Sequence, residues 1–253
     1  MSHIFFFITV SIIVFSVIPL VILLSSIHYL QSIKPLISRI SLFLVIFIAA
    51  AISNMVLFYN TEIVNIHVTQ LFYQFGWYYL FYLVFFGWLP ILKYLCNNKF
   101  SIIVNKLNFY FLVIYTTAWL FAVIWAQEHY WDVINICDKV DIALSVAGIL
   151  CCILAFVQGK CRDTISVIYG IIVLTLNISS FYWKEDPMLL NENIYLFSWI
   201  GIAFATLAYI IYLVKSEKSK SVSRLQEKNL DIDGAYRKVR EAYGLTKREE
   251  DIL

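Results

Sequence analysis

Apolar residues dominate the chain in long runs, and short polar stretches break them at regular intervals. Seven runs can be followed, approximately 4–30, 40–60, 70–95, 106–127, 140–158, 164–183 and 194–214. Each is long enough to cross a hydrocarbon layer of roughly 30 Å as an α-helix, which takes about 20 residues. None carries Lys or Arg in its middle. The first run has no basic segment before it and is longer than the apolar core of a cleaved leader, so it is read as a mature span. The pattern predicts an all-α membrane protein with seven transmembrane helices.

The polar stretches alternate in charge. One set holds Lys34 and Arg39, then Lys93, Lys99 and Lys106, then Lys160 and Arg162, and finally Lys215, Lys218, Lys220 and Arg224. The other set holds Glu62, then Glu128, Asp132 and Asp138, then Glu185, Asp186 and Glu192, with Lys139 and Lys184 as its cations. Basic loops remain on the cytoplasmic side. The N-terminus is therefore expected outside and the C-terminus in the cytoplasm, as an odd number of spans requires.

Composition agrees with this class. Of 253 residues, 61% are hydrophobic, 17% aromatic and 14% charged, where a soluble domain has about 25% charged residues. Mean hydropathy is +0.79. The net charge of +2 adds little, because its distribution carries the information. Five cysteines do not form a disulfide framework. Cys151 and Cys152 lie within the fifth run, Cys96 and Cys161 lie near the reducing cytoplasmic face, and Cys137 stands alone outside. Adjacent cysteines within a span read as small apolar packing residues.

Several seven-helix chemistries are disfavoured. A retinal Schiff base needs a lysine in the last span, and 195–214 has none. A pump or transporter usually keeps an ionisable residue near mid-membrane; Asp141 and His28 are expected near span ends. No intramembrane catalytic pair and no HExxH spacing is present. In the outer loops, His67 and His129 stand near Glu62, Glu128 and Asp132, but their spacing fits no metal motif and they read as solvated residues. No catalytic residue, metal or cofactor is expected.

The third run departs from this plainness. "QLFYQFGWYYLFYLVFFGW", Gln70–Trp88, holds eleven aromatic residues. Gln70, Gln74 and Tyr78 share one helical face and Trp77 lies beside it. Other polar or amphipathic outer-half residues are Asn54, Trp119, Asn177, Ser180, Ser198 and Trp199. Buried amides need partners from helices, water or ligand. Two readings follow. One is a pocket open to the outer leaflet, lined by aromatics and oriented by Gln74 and Asn177. The other is helix–helix glue with an aromatic interfacial belt.

After Val214 the composition turns polar. Asp231, Asp233 and Gly234 suggest a break, and "AYRKVREAYG" reads as a short separate helix ending at Gly244. The chain then closes on "YGLTKREEDIL". Thr246 and Glu249 form a capping box, with the Thr246 hydroxyl accepting from the Glu249 N–H and the Glu249 carboxylate reaching back. Acidic residues suit a helix start, and Ile252 and Leu253 open its apolar face. A helix this short is not stable alone, so the chain is expected to stop just inside a further domain.

This ending resembles the start of a LuxR-type helix-turn-helix domain, L-T-x-R-E-x-x-[IV]-L. Leu245, Thr246, Arg248, Glu249, Ile252 and Leu253 fill that pattern. The resemblance implies a structural first helix, capped by Thr246 and Glu249 and packed through Leu245, Ile252 and Leu253, with the base-reading helix beyond it. It implies a membrane-bound transcription regulator that binds promoter DNA, as a homodimer when active. The expected organisation is a seven-helix sensor over 1–214, a cytoplasmic linker over 215–244 and an incomplete helix-turn-helix domain over 245–253. The sensor would sit in lipid in a bacterial cytoplasmic membrane and answer a small-molecule or membrane-borne signal. The alternative is a small polytopic transporter or channel-like protein with a cytoplasmic tail.

Overall fold

The computed structural model describes residues 2–58, 79–80, 82–124, 130–185 and 194–243, with side chains within 9–53, 55–56, 79–80, 82–121, 132–180 and 197–223. These residues are helical throughout, apart from tight connections and one isolated bridge between Cys96 and Cys161. The helices are α1 (Ser2–Ser25), α2 (Lys34–Phe58), α3 (Tyr82–Leu95), α4 (Lys99–Ile124), α5 (Tyr130–Val157), α6 (Thr164–Glu185) and α7 (Ile194–Tyr243). The turn Leu89–Ile91 of α3 tightens to 3-10 geometry at Pro90.

Among the described residues, four stretches are long and apolar enough to cross a membrane: Gln31–Ser53, Lys99–Phe121, Asp132–Val157 and Phe197–Ser223. Three more apolar helices, Thr9–Ser25, Tyr82–Leu95 and Thr164–Ser180, are shorter. The outer surface supports the same class. Leu24, Phe109, Ile114, Phe156 and Phe204 lie on the outside of the bundle, each more than half exposed. So much exposed apolar area suits lipid and would drive association in water.

Neighbours follow the order α2, α1, α7, α6, α5, α4, with the most extensive contacts between α6 and α7 and between α1 and α7. The third helix lies inside this arc and is the most enclosed. Tyr82, Val84, Phe86, Trp88, Ile91, Leu92 and Leu95 are all essentially inaccessible. It meets α2 where Gly87 lies beside Ile46, α4 through an Asn108 amide bond to the Phe86 carbonyl, and α7 where Phe85 sits edge-on to Trp199. A helix that is apolar all round suits a buried position, and the enclosure of most of its faces accounts for its composition.

Close approach in the α5–α6–α7 layer depends on small residues. A Cβ at Gly170 would lie 2.9 Å from the Cys152 sulfur, and one at Gly148 2.8 Å from Leu174. Glycine at such points lets apolar helices pack backbone to backbone.

One end of the bundle is knitted by its connections. Asn98 caps α4 by accepting from the Ser101 N–H at 2.7 Å, and Asp163 caps α6 through the Ser166 N–H at 2.7 Å. Gly159, at φ 60°, ends α5. The Lys160 N–H returns to Ala155 O at 2.8 Å and Gly159 N–H to Phe156 O at 3.1 Å, a Schellman closure. The two connections then clasp, with Asn97 N–H donating to Lys160 O at 2.7 Å and Arg162 N–H to Leu95 O at 2.9 Å. Cys96 and Cys152 sulfurs lie 3.8 Å apart as free thiols.

Two elements differ from the sequence expectation. The fifth helix starts at Tyr130, ten residues before the apolar run begins, so Asp132, Asp138 and Lys139 lie on the helix and not in a loop. The seventh helix is continuous over 50 residues, about 75 Å, with no break at Asp231–Gly234. A single mid-helix glycine costs only about 1 kcal/mol, and good helix formers, Gln226, Glu227 and Lys228 before it and Ala235, Arg237 and Lys238 after it, flank the Asp231–Gly234 segment.

Candidate functional site

Three polar layers run through the apolar bundle. The first joins α3, α5 and α6. Asp138 and Asp141 lie three residues apart and share one face of α5. The Tyr82 hydroxyl of α3 donates to Asp138 and also lies 3.3 Å from the Ile134 carbonyl. Asp141 is fully buried and accepts from the Asn177 amide of α6 at 3.3 Å. The same amide donates to Ser145 at 2.8 Å. Ser180 donates to the Asn177 carbonyl at 2.7 Å, while Asn177 Oδ1 has no hydrogen-bond partner. None of the ion pairs among the described residues involves Asp141. Buried carboxyl groups within apolar helices are costly, and where they are found they mark sites of function.

The second layer is a polar seam between α6 and α7. Ser179 meets Ser198 at 2.9 Å, Tyr169 meets Thr206 at 3.2 Å and Ser166 meets Tyr209 at 2.8 Å. Trp88 of α3 donates to the Tyr169 hydroxyl at 3.1 Å, and the Tyr169 and Tyr209 rings stack at 4.2 Å. Hydrogen bonds between apolar helices fix their register where packing alone leaves it free to slide.

The third layer holds α7 where it leaves the bundle. Glu217 is nearly inaccessible. It accepts from Ser32 in the α1–α2 connection at 2.7 Å, from Arg162 in the α5–α6 connection at 3.0 Å and from Lys220 at 2.8 Å. Low exposure and three donors make this a stronger anchor than an isolated surface ion pair.

Of the residues expected to line an outer pocket, Gln70, Gln74, Trp77 and Tyr78 lie outside the described residues, as does the side chain of Asn54. His67, His129, Glu62 and Glu128 lie outside them too. The remaining three are in different surroundings. Asn177 is in the carboxylate layer. Trp119 is half-buried against the Tyr79 ring at 4.6 Å. Trp199 is fully buried between Phe47, at 5.1 Å, and Phe85. The residues Leu245, Thr246, Arg248, Glu249, Ile252 and Leu253 also lie outside the described residues. Asp138, Asp141 and Tyr82 are the partners that sequence reasoning missed. The i, i+3 pair of aspartates ahead of an apolar run was the available signal.

No family model, curated protein or solved structure matches the chain.

Proposed function

We propose that this chain is the membrane-embedded sensor part of a LuxR-type DNA-binding transcriptional regulator. It has seven spans in a bacterial cytoplasmic membrane, its N-terminus outside and its C-terminus in the cytoplasm. The observation that carries the reading is the continuity of α7. The helix that bears Trp199, Thr206 and Tyr209 in the bundle continues to Tyr243, next to the L-T-x-R-E stretch that resembles the helix-turn-helix start. A change in packing around Asp141 and Asn177 can pass along the α6–α7 seam to Glu217. From there the helix carries it to a cytoplasmic helix-turn-helix domain that binds promoter DNA. The working form is a homodimer, and the chain acts by coupling, with no turnover of substrate.

The test is a fusion of a DNA-binding reporter domain that lacks its own dimerisation element to Leu253. Repression of a cognate promoter in cells, altered by Asp141→Asn, supports the proposal. A fusion that inserts in the membrane but never represses, under every stimulus tried, overturns it.

A second reading, a small transporter, is favoured by one observation: Asp141 is enclosed by the bundle and not at a span end. Proteoliposomes with an internal pH dye separate the two. Proton flux above empty vesicles, lost in Asp141→Asn, points to transport.

A further inference from the structure

Among the described residues, the arc of helices is open between α2 and α4, and the gap forms a crevice of about 510 Å³ with α3 as its floor. This is within the roughly 300–1,000 Å³ of small-molecule sites. Its lining is graded from one end to the other. On α2, Arg39, Leu42 and Ile46 follow one face upward. On α4, Lys106 precedes Phe109. The floor runs the opposite way, with Pro90 near the cations and Leu83 furthest from them. Neither Arg39 nor Lys106 pairs with a carboxylate among the described residues. Asn108 also lines the crevice. It is only 2% exposed, and while its amide donates to Phe86, its Oδ1 has no partner.

We propose that this crevice is a binding site for one anionic phospholipid. The phosphate meets Arg39 and Lys106, which have no carboxylate partner among the described residues. An acyl chain lies along Leu42, Ile46 and Phe109. Basic recesses between spanning helices on the cytoplasmic side suit such headgroups. The inference rests on the bundle standing in a bilayer and is independent of the sensor–regulator reading.

The experiment offers the purified full chain equal amounts of phosphatidylglycerol and phosphatidylcholine and counts retained lipid by native mass spectrometry. The wild type is expected to prefer phosphatidylglycerol. Arg39→Gln with Lys106→Gln lowers that preference about thirtyfold, as expected for two headgroup cations. Lys93→Gln with Lys215→Gln, at the same end of the bundle, leaves it intact. Equal losses in the two variants would mean general surface charge and overturn the proposal. Full displacement of the lipid by millimolar inorganic phosphate would assign the site to a free anion and overturn it as well. Alkaline extraction of cell membranes checks the premise. A chain that washes off removes the bilayer and the lipid site together, whereas one that stays embedded without lipid preference overturns the site alone.

Discussion

At Asn177 a single side chain supports two partners on another helix. Its amide is the donor to both Asp141 and Ser145. Replacing it with Leu leaves the Asp141 carboxyl without that donor in apolar surroundings. Loss of a buried partner costs about 1–3 kcal/mol, so Asn177→Leu should lower the midpoint of thermal unfolding in detergent, and the further change Asp141→Leu should recover much of it. A double-mutant cycle measures the coupling; additive losses would show that the pair does not interact. Glu217 gives a second test at this scale. In Glu217→Ala, Ser32 and Arg162 lose their common acceptor. Hydrogen exchange should then quicken over 26–33 and 158–163, and the bundle should lose about 1–3 kcal/mol of stability. Unchanged exchange in both connections would remove Glu217 from the anchoring role.

At the scale of the helix, α7 is the element on which the proposed coupling depends. Gly234→Ala removes backbone freedom and should strengthen the helix by about 1 kcal/mol. Gly234→Pro removes a hydrogen bond and clashes with the preceding turn, at about 3 kcal/mol or more. Helicity by circular dichroism checks both changes. The proposed coupling requires reporter output to survive the first and fail in the second at equal protein level. This helix also shows what was legible. Its apolar half stands out in the sequence, because an unbroken apolar run of about 20 residues satisfies its backbone in lipid as a helix. Its polar half carries local turn signals at Asp231, Asp233 and Gly234 that predict a break, and such signals yield when the flanking sequence favours helix. The fifth helix departs from expectation in the opposite sense. Asp132, Asp138, Lys139 and Asp141 lower local hydropathy and so hide ten helical residues. Asp138 and Asp141 are buried, and what offsets their burial is Tyr82 and Asn177, which are distant in sequence, and no local period reveals such partners. Asn177 itself was legible as a polar residue in need of a partner; the identity of that partner was not.

Across the whole molecule, charge and connectivity point the same way. The connection at 96–98 clasps the one at 158–163, and the α1–α2 connection and α7 meet there at Glu217. Lys34, Lys99, Lys160 and Lys215 cluster at this end of the helices, while Asp132 lies at the start of α5 at the other. Moving a lysine-bearing end across a bilayer is unfavourable, so the clasped end should face the cytoplasm. Cysteines introduced as Ser219→Cys and Asp132→Cys, in a chain whose native cysteines are replaced by serine or alanine, test this directly. A membrane-impermeant maleimide should label the second in intact cells and the first only after permeabilisation. The opposite pattern would invert the orientation. It would put the helix-turn-helix resemblance at Leu245–Leu253 on the side without DNA, and the regulator reading would fall with it. Labelling of both sites in intact cells would mean that the two ends share a side, which an odd number of spans forbids.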